Sequence, residues 1–265
     1  MKIHFHWIWA AINAINDNTY FLIEDWDDKL QVDCWGWKWL TRKIKSWEIN
    51  FSNLFITHKH TDHILWFFHF IRVFMNWKIS NINIYCSKNL EQTIKDISNS
   101  LWCRSKKLIE SWILNFKNID NLNNQKIWNF NLKPINLNSK KIEQFWFLLI
   151  HNDKKILFFW DEAVWVLDRK DLNELQNPDY LIIESVCPEY MAKRSWWTVN
   201  TEKMSHITSK NAWIIATRLN AKNLILIHTM DIDENNRQSI LENDAKSEYN
   251  WNIIVPNASD IVYIN

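Results

Sequence analysis

The chain is 265 residues long, 47% hydrophobic and 23% charged, with a formal net charge of +1. That length supports one sizeable core or two small ones, and the near-neutral balance argues against a strongly basic nucleic-acid wrapper while allowing a local basic patch. The composition holds 19 Trp and one Gly, where an average chain is about 7% glycine.

Trp falls where glycine belongs. Asp33-Cys34-Trp35-Gly36-Trp37-Lys38-Trp39 reads as a glycine-rich turn after a strand. Glu24-Asp25-Trp26-Asp27 sits at a hairpin tip, Asn76-Trp77-Lys78 lies in another turn, and Ser195-Trp196-Trp197-Thr198 places two indoles in a polar loop. A bulky indole cannot relieve a positive-φ turn, and many indoles in polar turns would expose large apolar surface. The expectation is that Trp here stands for glycine. The codon UGA means Trp in some genetic codes and Gly in certain others used by small-genome bacteria. A genuinely Trp-rich protein is the alternative, and UGG codons in the gene would establish it.

In chain order, Lys2 to Phe5 alternates like a strand, and Thr19 to Ile23 and Leu30 to Asp33 read as successive strands joined around Trp26. Leu54 to Thr57 is a short apolar strand running into a histidine cluster. Leu90 to Leu101 has helical spacing. Phe145 to Ile150 and Lys155 to Phe159 form a hairpin around His151-Asn152-Asp153-Lys154, and Tyr180 to Ile183 is a buried strand. Thr208 to Leu219 reads as a helix with Thr208 as N-cap, followed by a strand from Asn223 to Ile227 that ends at His228. This order predicts two sheets flanked by helices in one domain, residues 1–265. No apolar run approaches the roughly 20 residues that span a bilayer, and the first residues lack the apolar stretch of a signal peptide. Cys34, Cys86, Cys103 and Cys187 show no CxxC spacing, so free thiols in a reducing cytosol are expected.

The sharpest motif is Thr57-His58-Lys59-His60-Thr61-Asp62-His63, with three His and one Asp in six positions just past a strand. A loop there can turn His58 and His60 toward one cation and Asp62 and His63 toward a second. Imidazole and carboxylate are ligands that zinc takes at about 2.0–2.2 Å. Two ions about 3.5–4 Å apart can hold a bridging hydroxide and clamp a phosphate or carbonyl oxygen. A polar surface loop with incidental histidines is the bland alternative.

The segment resembles the HxHxDH signature of the metallo-β-lactamase fold, and the resemblance extends over nearly the whole chain. It implies a four-layer αββα sandwich of α/β (α+β) class with the ligands at one edge. Phe159-Trp160-Asp161, read as Phe-Gly-Asp, looks like the strand end that supplies the metal-bridging aspartate, and Ile227-His228-Thr229 looks like the late strand-end histidine of the second metal site. The family usually adds a His between the signature and the bridging Asp. Here the matching stretch is Pro134-Ile135-Asn136-Leu137-Asn138-Ser139, with Asn138 nearest in position, so the first metal site is expected to be weak or empty. His151 is expected to face away from the site, and His69 to pack on a helix.

The late part looks similar to the ribonuclease Z branch and related phosphodiesterases. Asp179-Tyr180-Leu181-Ile182-Ile183-Glu184 resembles the strand ending in that branch's functional Glu, and His206-Ile207-Thr208 resembles its His-x-Thr helix start. By that resemblance Glu184 orients His206, which protonates the leaving oxygen or holds a nonbridging phosphate oxygen. The segment between Trp66 and Asp161 is short for a tRNA-gripping arm, and Asp231 and Asp233 are unhelpful for binding RNA by charge. The cluster Arg104-Ser105-Lys106-Lys107 reads as a solvated face.

These readings converge on a cytoplasmic, metal-dependent hydrolase using a metal-bound hydroxide on a small-molecule or RNA phosphodiester. Its metal ligands would be His58, His60, Asp62, His63, Asp161 and His228, and its catalytic residues Asp62, His206 and Glu184. The expected cofactor is zinc, one or two ions, with manganese as the substitute; no membrane partner is expected, and a homodimer is allowed. Hydrolysis of a carboxylic ester, thioester or lactam stands as the rival chemistry, and a degenerate metal- or nucleotide-binding member without turnover as the non-enzymatic reading.

Overall fold

The computed structural model describes residues 1–8, 19–34, 51–74, 81–101, 105–110, 113–121, 123–139, 142–161, 169, 172–194, 206–230, 236–246 and 252–265. The turns expected at Trp35, Trp37, Trp39 and Trp77, the loop expected at Trp196 and Trp197, and the stretch with Asp231 and Asp233 lie outside them, as do Cys103 and Arg104.

Two seven-stranded sheets make the centre. The first runs in the order β14 (Ile261–Tyr263), β1 (Lys2–Trp7), β2 (Tyr20–Asp25), β3 (Asp28–Val32), β4 (Asn53–Phe55), β5 (Ile82–Cys86), β6 (Leu114–Asn118). The second runs β13 (Asn252–Ile254), β12 (Asn223–Ile227), β11 (Tyr180–Glu184), β10 (Lys154–Phe159), β9 (Phe145–His151), β8 (Phe130–Asn136), β7 (Gln125–Ile127). The inner faces meet in one apolar layer: Ile3, Phe5, Phe21, Ile23 and Phe55 from one sheet pack on Phe130, Phe147, Phe158, Ile182 and Ile225 from the other. This is the period-2 pattern of strands expressed twice, since alternate residues of each strand face the opposing sheet.

Helices cover both outer faces. Ile64, Phe67 and Phe70 of α1 (Thr61–Phe74) and Leu90 and Ile94 of α2 (Lys88–Ser100) pack on Leu54, Ile56, Ile82 and Ile84. A short α3 follows at Ser105–Glu110, where Lys106 and Lys107 are exposed and Lys106 pairs with Glu110 at 3.9 Å, as a solvated face should. On the other side Ala212, Ile215 and Ala216 of α5 (Ser209–Arg218) and Leu241 and Ala245 of α6 (Arg237–Lys246) cover Leu157, Leu181, Ile183 and Leu224, while α4 (Glu189–Arg194) sits near the rim. The result is the expected αββα sandwich. Thr208 is the N-cap of α5, completing a capping box with Asn211. Strands β5 to β8, β13 and β14 carry no separate expectation from the sequence; several are short, polar edge segments that hydrophobic alternation alone does not mark.

Three tight hairpins make a controlled comparison. In β9–β10, His151 pairs with Lys154 across Asn152 (φ 47°) and Asp153 (φ 61°), residues that tolerate the left-handed region. In β2–β3, Asp25 pairs with Asp28, and in β7–β8, Ile127 pairs with Phe130. In both, only the first central residue has positive φ, a place that a type II′ turn reserves for glycine, and that residue is Trp: Trp26 at 53° and Trp128 at 52°. Trp26 is 87% exposed.

Cys34, Cys86 and Cys187 are free and buried, and burial, aided by Asp244, pushes the Cys187 thiol up to about 11. Among the described residues no helix is long and apolar enough to cross a membrane.

Candidate metal centre

Strands β3, β4 and β5 are mutually parallel, as are β10, β11 and β12. Parallel strands bring their C-terminal ends to a common edge, where open α/β sheets place their ligand sites. Asp33 follows β3, His58 and His60 follow β4, Asp161 follows β10, Glu184 ends β11 and His228 follows β12. Asp33, Asp161 and His228 all have left-handed backbone, with φ of 54°, 56° and 56°. Each strand is broken sharply where its polar residue must leave the sheet, a strain that functional sites commonly retain. Asp62 and His63 differ in origin: they stand in the first turn of α1, whose start is tied down by the His60 carbonyl accepting from the amides of His63 and Ile64.

These pieces converge on Asp161. Its Oδ2 lies 2.7 Å from His58 Nε2, 3.1 Å from His60 Nδ1 and 3.8 Å from His63 Nε2. Its Oδ1 lies 3.2 Å from His206 Nδ1, which also contacts Glu184 Oε2 at 2.9 Å. Three donor groups have ligand atoms within 4.8 Å of one another: His58, His60 and Asp161; Asp62, His63 and His228; and Asp161, Glu184, His206 and His228. Burial opposes charge on Asp161, yet the hydrogen bonds from His58 and His60 hold its carboxyl well below the usual range. Burial likewise opposes a proton on His63, but the Asp62 and Asp33 carboxylates outweigh it and raise its affinity for one. His228 is driven down to about 3, chiefly by burial, with His206 and His63 adding to it against Asp161.

This donor set suits a cation. Among the described residues His63 Nε2 is buried without a hydrogen-bond partner, 3.4 Å from Asp62 Oδ2, and faces the space between the carboxylates. Carboxylates and imidazoles crowded this closely, with one buried nitrogen left over, are what a divalent ion such as zinc would satisfy.

No protein-family model and no curated protein sequence matches the chain. Solved structures do. The metallo-β-lactamase fold protein YhfI from Bacillus subtilis superposes with TM-score 0.73 at 15% identity, covering 98% of both chains. Human tRNase Z, short form, gives 0.68 at 17% identity over 100% of both chains. A diphosphatase from the PhnP family gives 0.70 at 11% identity, over 100% of this chain and 98% of that one.

The chain has the metallo-β-lactamase fold.

Within this metallo-β-lactamase fold every site residue expected from the sequence reaches the same edge: His58, His60, Asp62, His63, Asp161, Glu184, His206 and His228. Asn138 does not join them. It is exposed, its backbone is left-handed at φ 55°, and its amide is taken by Asn136 Oδ1 at 2.7 Å. His151 lies at the far end of β9, 3.2 Å from Asp25 Oδ2 of the β2–β3 tip, and His69 meets the Trp66 ring edge-on at 5.3 Å.

Four supporting residues escaped the sequence reading. Asp33 Oδ2 holds His63 Nδ1 at 2.6 Å, and both its oxygens accept from Thr57 Oγ1, at 3.0 and 2.9 Å. Thr57 Oγ1 in turn contacts His58 Nδ1 at 2.9 Å, and Thr19 Oγ1 contacts His228 Nδ1 at 2.9 Å. Gln144 Nε2 donates to the carbonyls of Trp160 and Asp161, clamping the bend that carries the bridging carboxylate. Asp33 had a visible signal: like Phe159-Trp160-Asp161, an apolar strand there runs straight into an aspartate. Thr19 and Gln144 had none, because their partners lie far away in sequence.

Proposed function

We propose that the chain is a metal-dependent hydrolase acting on a phosphodiester. The observation that carries this reading is the His206 ring, held by buried Glu184 at 2.9 Å while touching Asp161 at 3.2 Å. His58, His60, Asp62, His63, Asp161 and His228 would hold zinc, as one or two ions, with manganese as the substitute. When bound, such an ion lowers the pKa of water toward neutrality and polarises a phosphoryl oxygen. Asp62 binds and steers at that position, while Glu184 orients His206. The His206 imidazole is 28% exposed and so is open to a substrate oxygen, to which it gives a proton or a hydrogen bond. The solved tRNase Z and PhnP-family diphosphatase share the fold, which supports a phosphoryl substrate over the rival ester, thioester or lactam. On this reading the chain works as one domain, residues 1–265, in the cytoplasm, on a small-molecule or RNA phosphodiester, alone or as a homodimer.

Hydrolysis of a chromogenic phosphodiester with added zinc or manganese tests it. Asp62→Ala should abolish turnover, and His206→Ala should lower it by about 10²–10⁴-fold, the usual contribution of a positioned acid or base. Turnover of carboxylic esters or lactams, but not of phosphodiesters, would transfer the assignment to carbonyl chemistry. A folded protein that binds metal and turns over neither would be a binding member of the fold.

We also propose that Trp here stands for glycine in the natural chain, through UGA read with the wrong code. The Trp26 and Trp128 hairpins support this, as do the buried indole Nε1 atoms of Trp146, Trp160 and Trp213, which find no hydrogen-bond partner among the described residues. UGG codons at these positions in the gene would refute it.

A further inference from the structure

We infer that the two cation positions around Asp161 are unequal. The position made by Asp62, His63 and His228, beside Asp161, is tight and permanently filled, and the one made by His58 and His60 with Asp161 is weak and exchangeable. The inference rests on the metallohydrolase reading for the ion itself, but not on the substrate.

Burial separates the two first. Asp62, His63 and His228 are 9%, 0% and 1% exposed, whereas the His60 side chain is 44% exposed. An ion held by buried donors loses them only if the structure opens; one held by His60 loses a ligand by a side-chain rotation.

Support from behind separates them again. The rings of His63 and His228 are each held through Nδ1, by Asp33 and by Thr19, which leaves Nε2 directed inward. Partners of this kind fix tautomer and ring orientation, and losing one typically costs about 10–100-fold in metal affinity. His58 has such a partner in Thr57. His60 does not: its contacts run inward through Nδ1 to His58 Nε2 at 2.9 Å and to Asp161, and no described residue bonds its other nitrogen.

The carboxylates agree. Asp62 serves the buried donor group alone, and Asp161 stands beside that group, 3.8 Å from His63. The carboxylate that His58 and His60 share in their own group is also engaged by His206. The position at His60 therefore has the weaker hold on an ion and, with that ring exposed, the room for a substrate oxygen.

The test is a titration of metal-stripped protein with cobalt(II) and with zinc against a competing chromophoric chelator, read by chelator absorbance and by the cobalt visible spectrum. One equivalent should bind first, and a second about 10–100-fold more weakly. His60→Ala should lose only the second equivalent and His228→Ala the first, each variant checked for native circular dichroism and thermal unfolding. Two equivalents of equal affinity, or loss of the first with His60→Ala, would overturn the inference. A folded protein that takes up no ion overturns it together with the metal reading. Unequal binding without phosphodiester turnover leaves it standing and removes only the proposed activity.

Discussion

At the scale of single residues, the decisive atom is the one proton of Thr57. The Asp33 carboxylate can only accept, so the Thr57 hydroxyl must donate to it and in turn accept from His58 Nδ1–H. A cation that displaced the proton Nε2 shares with Asp161 would then meet the neutral His58 tautomer, with its Nε2 lone pair available. The same buried carboxylate takes His63 Nδ1–H directly, so Asp33 orients a residue of each proposed cation position. Thr57→Val should weaken metal binding by about 10–100-fold while Thr57→Ser restores it; zinc affinity by chelator competition is the measurement. Equal affinity in Thr57→Val would mean that packing alone holds the His58 ring. Thr19→Val should act on the His228 side alone.

At the scale of elements, the hairpins offer a test that does not involve the site. A non-glycine residue held in a sparsely populated backbone region costs about 1–3 kcal/mol. Trp26→Gly and Trp128→Gly should therefore each stabilise the fold by an amount of that order in denaturant unfolding, and Trp26→Gly should also remove a largely exposed indole. No gain in either would show that these turns accept indole without strain. A second element-level device is Asp179, which ties three strand starts together: its oxygens accept from the Lys155 amide at 2.9 Å and from Lys222 Nζ at 2.8 Å, and its carbonyl accepts from Asn223 Nδ2. Burial opposes its charge, but the Lys222 and Lys155 bonds hold its carboxyl below the ordinary 3.8. A depressed folded value means that the stabilisation is complete above 3.8 and is lost as pH falls through the folded value. Asp179→Ala should cost about 1–2 kcal/mol at neutral pH, a modest figure because Lys222 is solvent-exposed. The gap between parent and variant should close only in acid, which unfolding curves at pH 7 and below 3 would show.

At the scale of the whole molecule, the ligands come from both sheets. His58, His60, Asp62 and His63 belong to the first sheet and its helix, and Asp161 and His228 to the second. An ion held by them would bridge the two halves, which otherwise meet through the apolar layer around Phe55, Phe147 and Phe158. Binding to the native state alone stabilises by about 2.7 kcal/mol at a ligand concentration 100 times Kd. Zinc should raise the melting temperature in proportion to the logarithm of its concentration, and chelator should return it to the metal-free value. A melting temperature indifferent to zinc would mean that the donors do not bind it in the folded state.

Local sequence was enough for the elements whose signal is local. The Thr57–His63 cluster, the Thr208 cap, the Asn152-Asp153 turn and the apolar strands ending at Asp161, Glu184 and His228 are each legible within a few residues, because strand alternation and capping act over that range. The chain's order of apolar strands and helices also determined two sheets with helical covers. Only the tertiary structure decided which strand ends share an edge, since that depends on which strands run parallel, and so only it brought His206 to Asp161 across 45 residues of chain. It alone revealed Thr19 and Gln144 as supports, for a hydrogen bond between distant residues leaves no periodicity in either segment. It also set the exposed His60 apart from the buried His63 and His228, because burial of an imidazole is a property of what packs over it and not of the motif in which it is written.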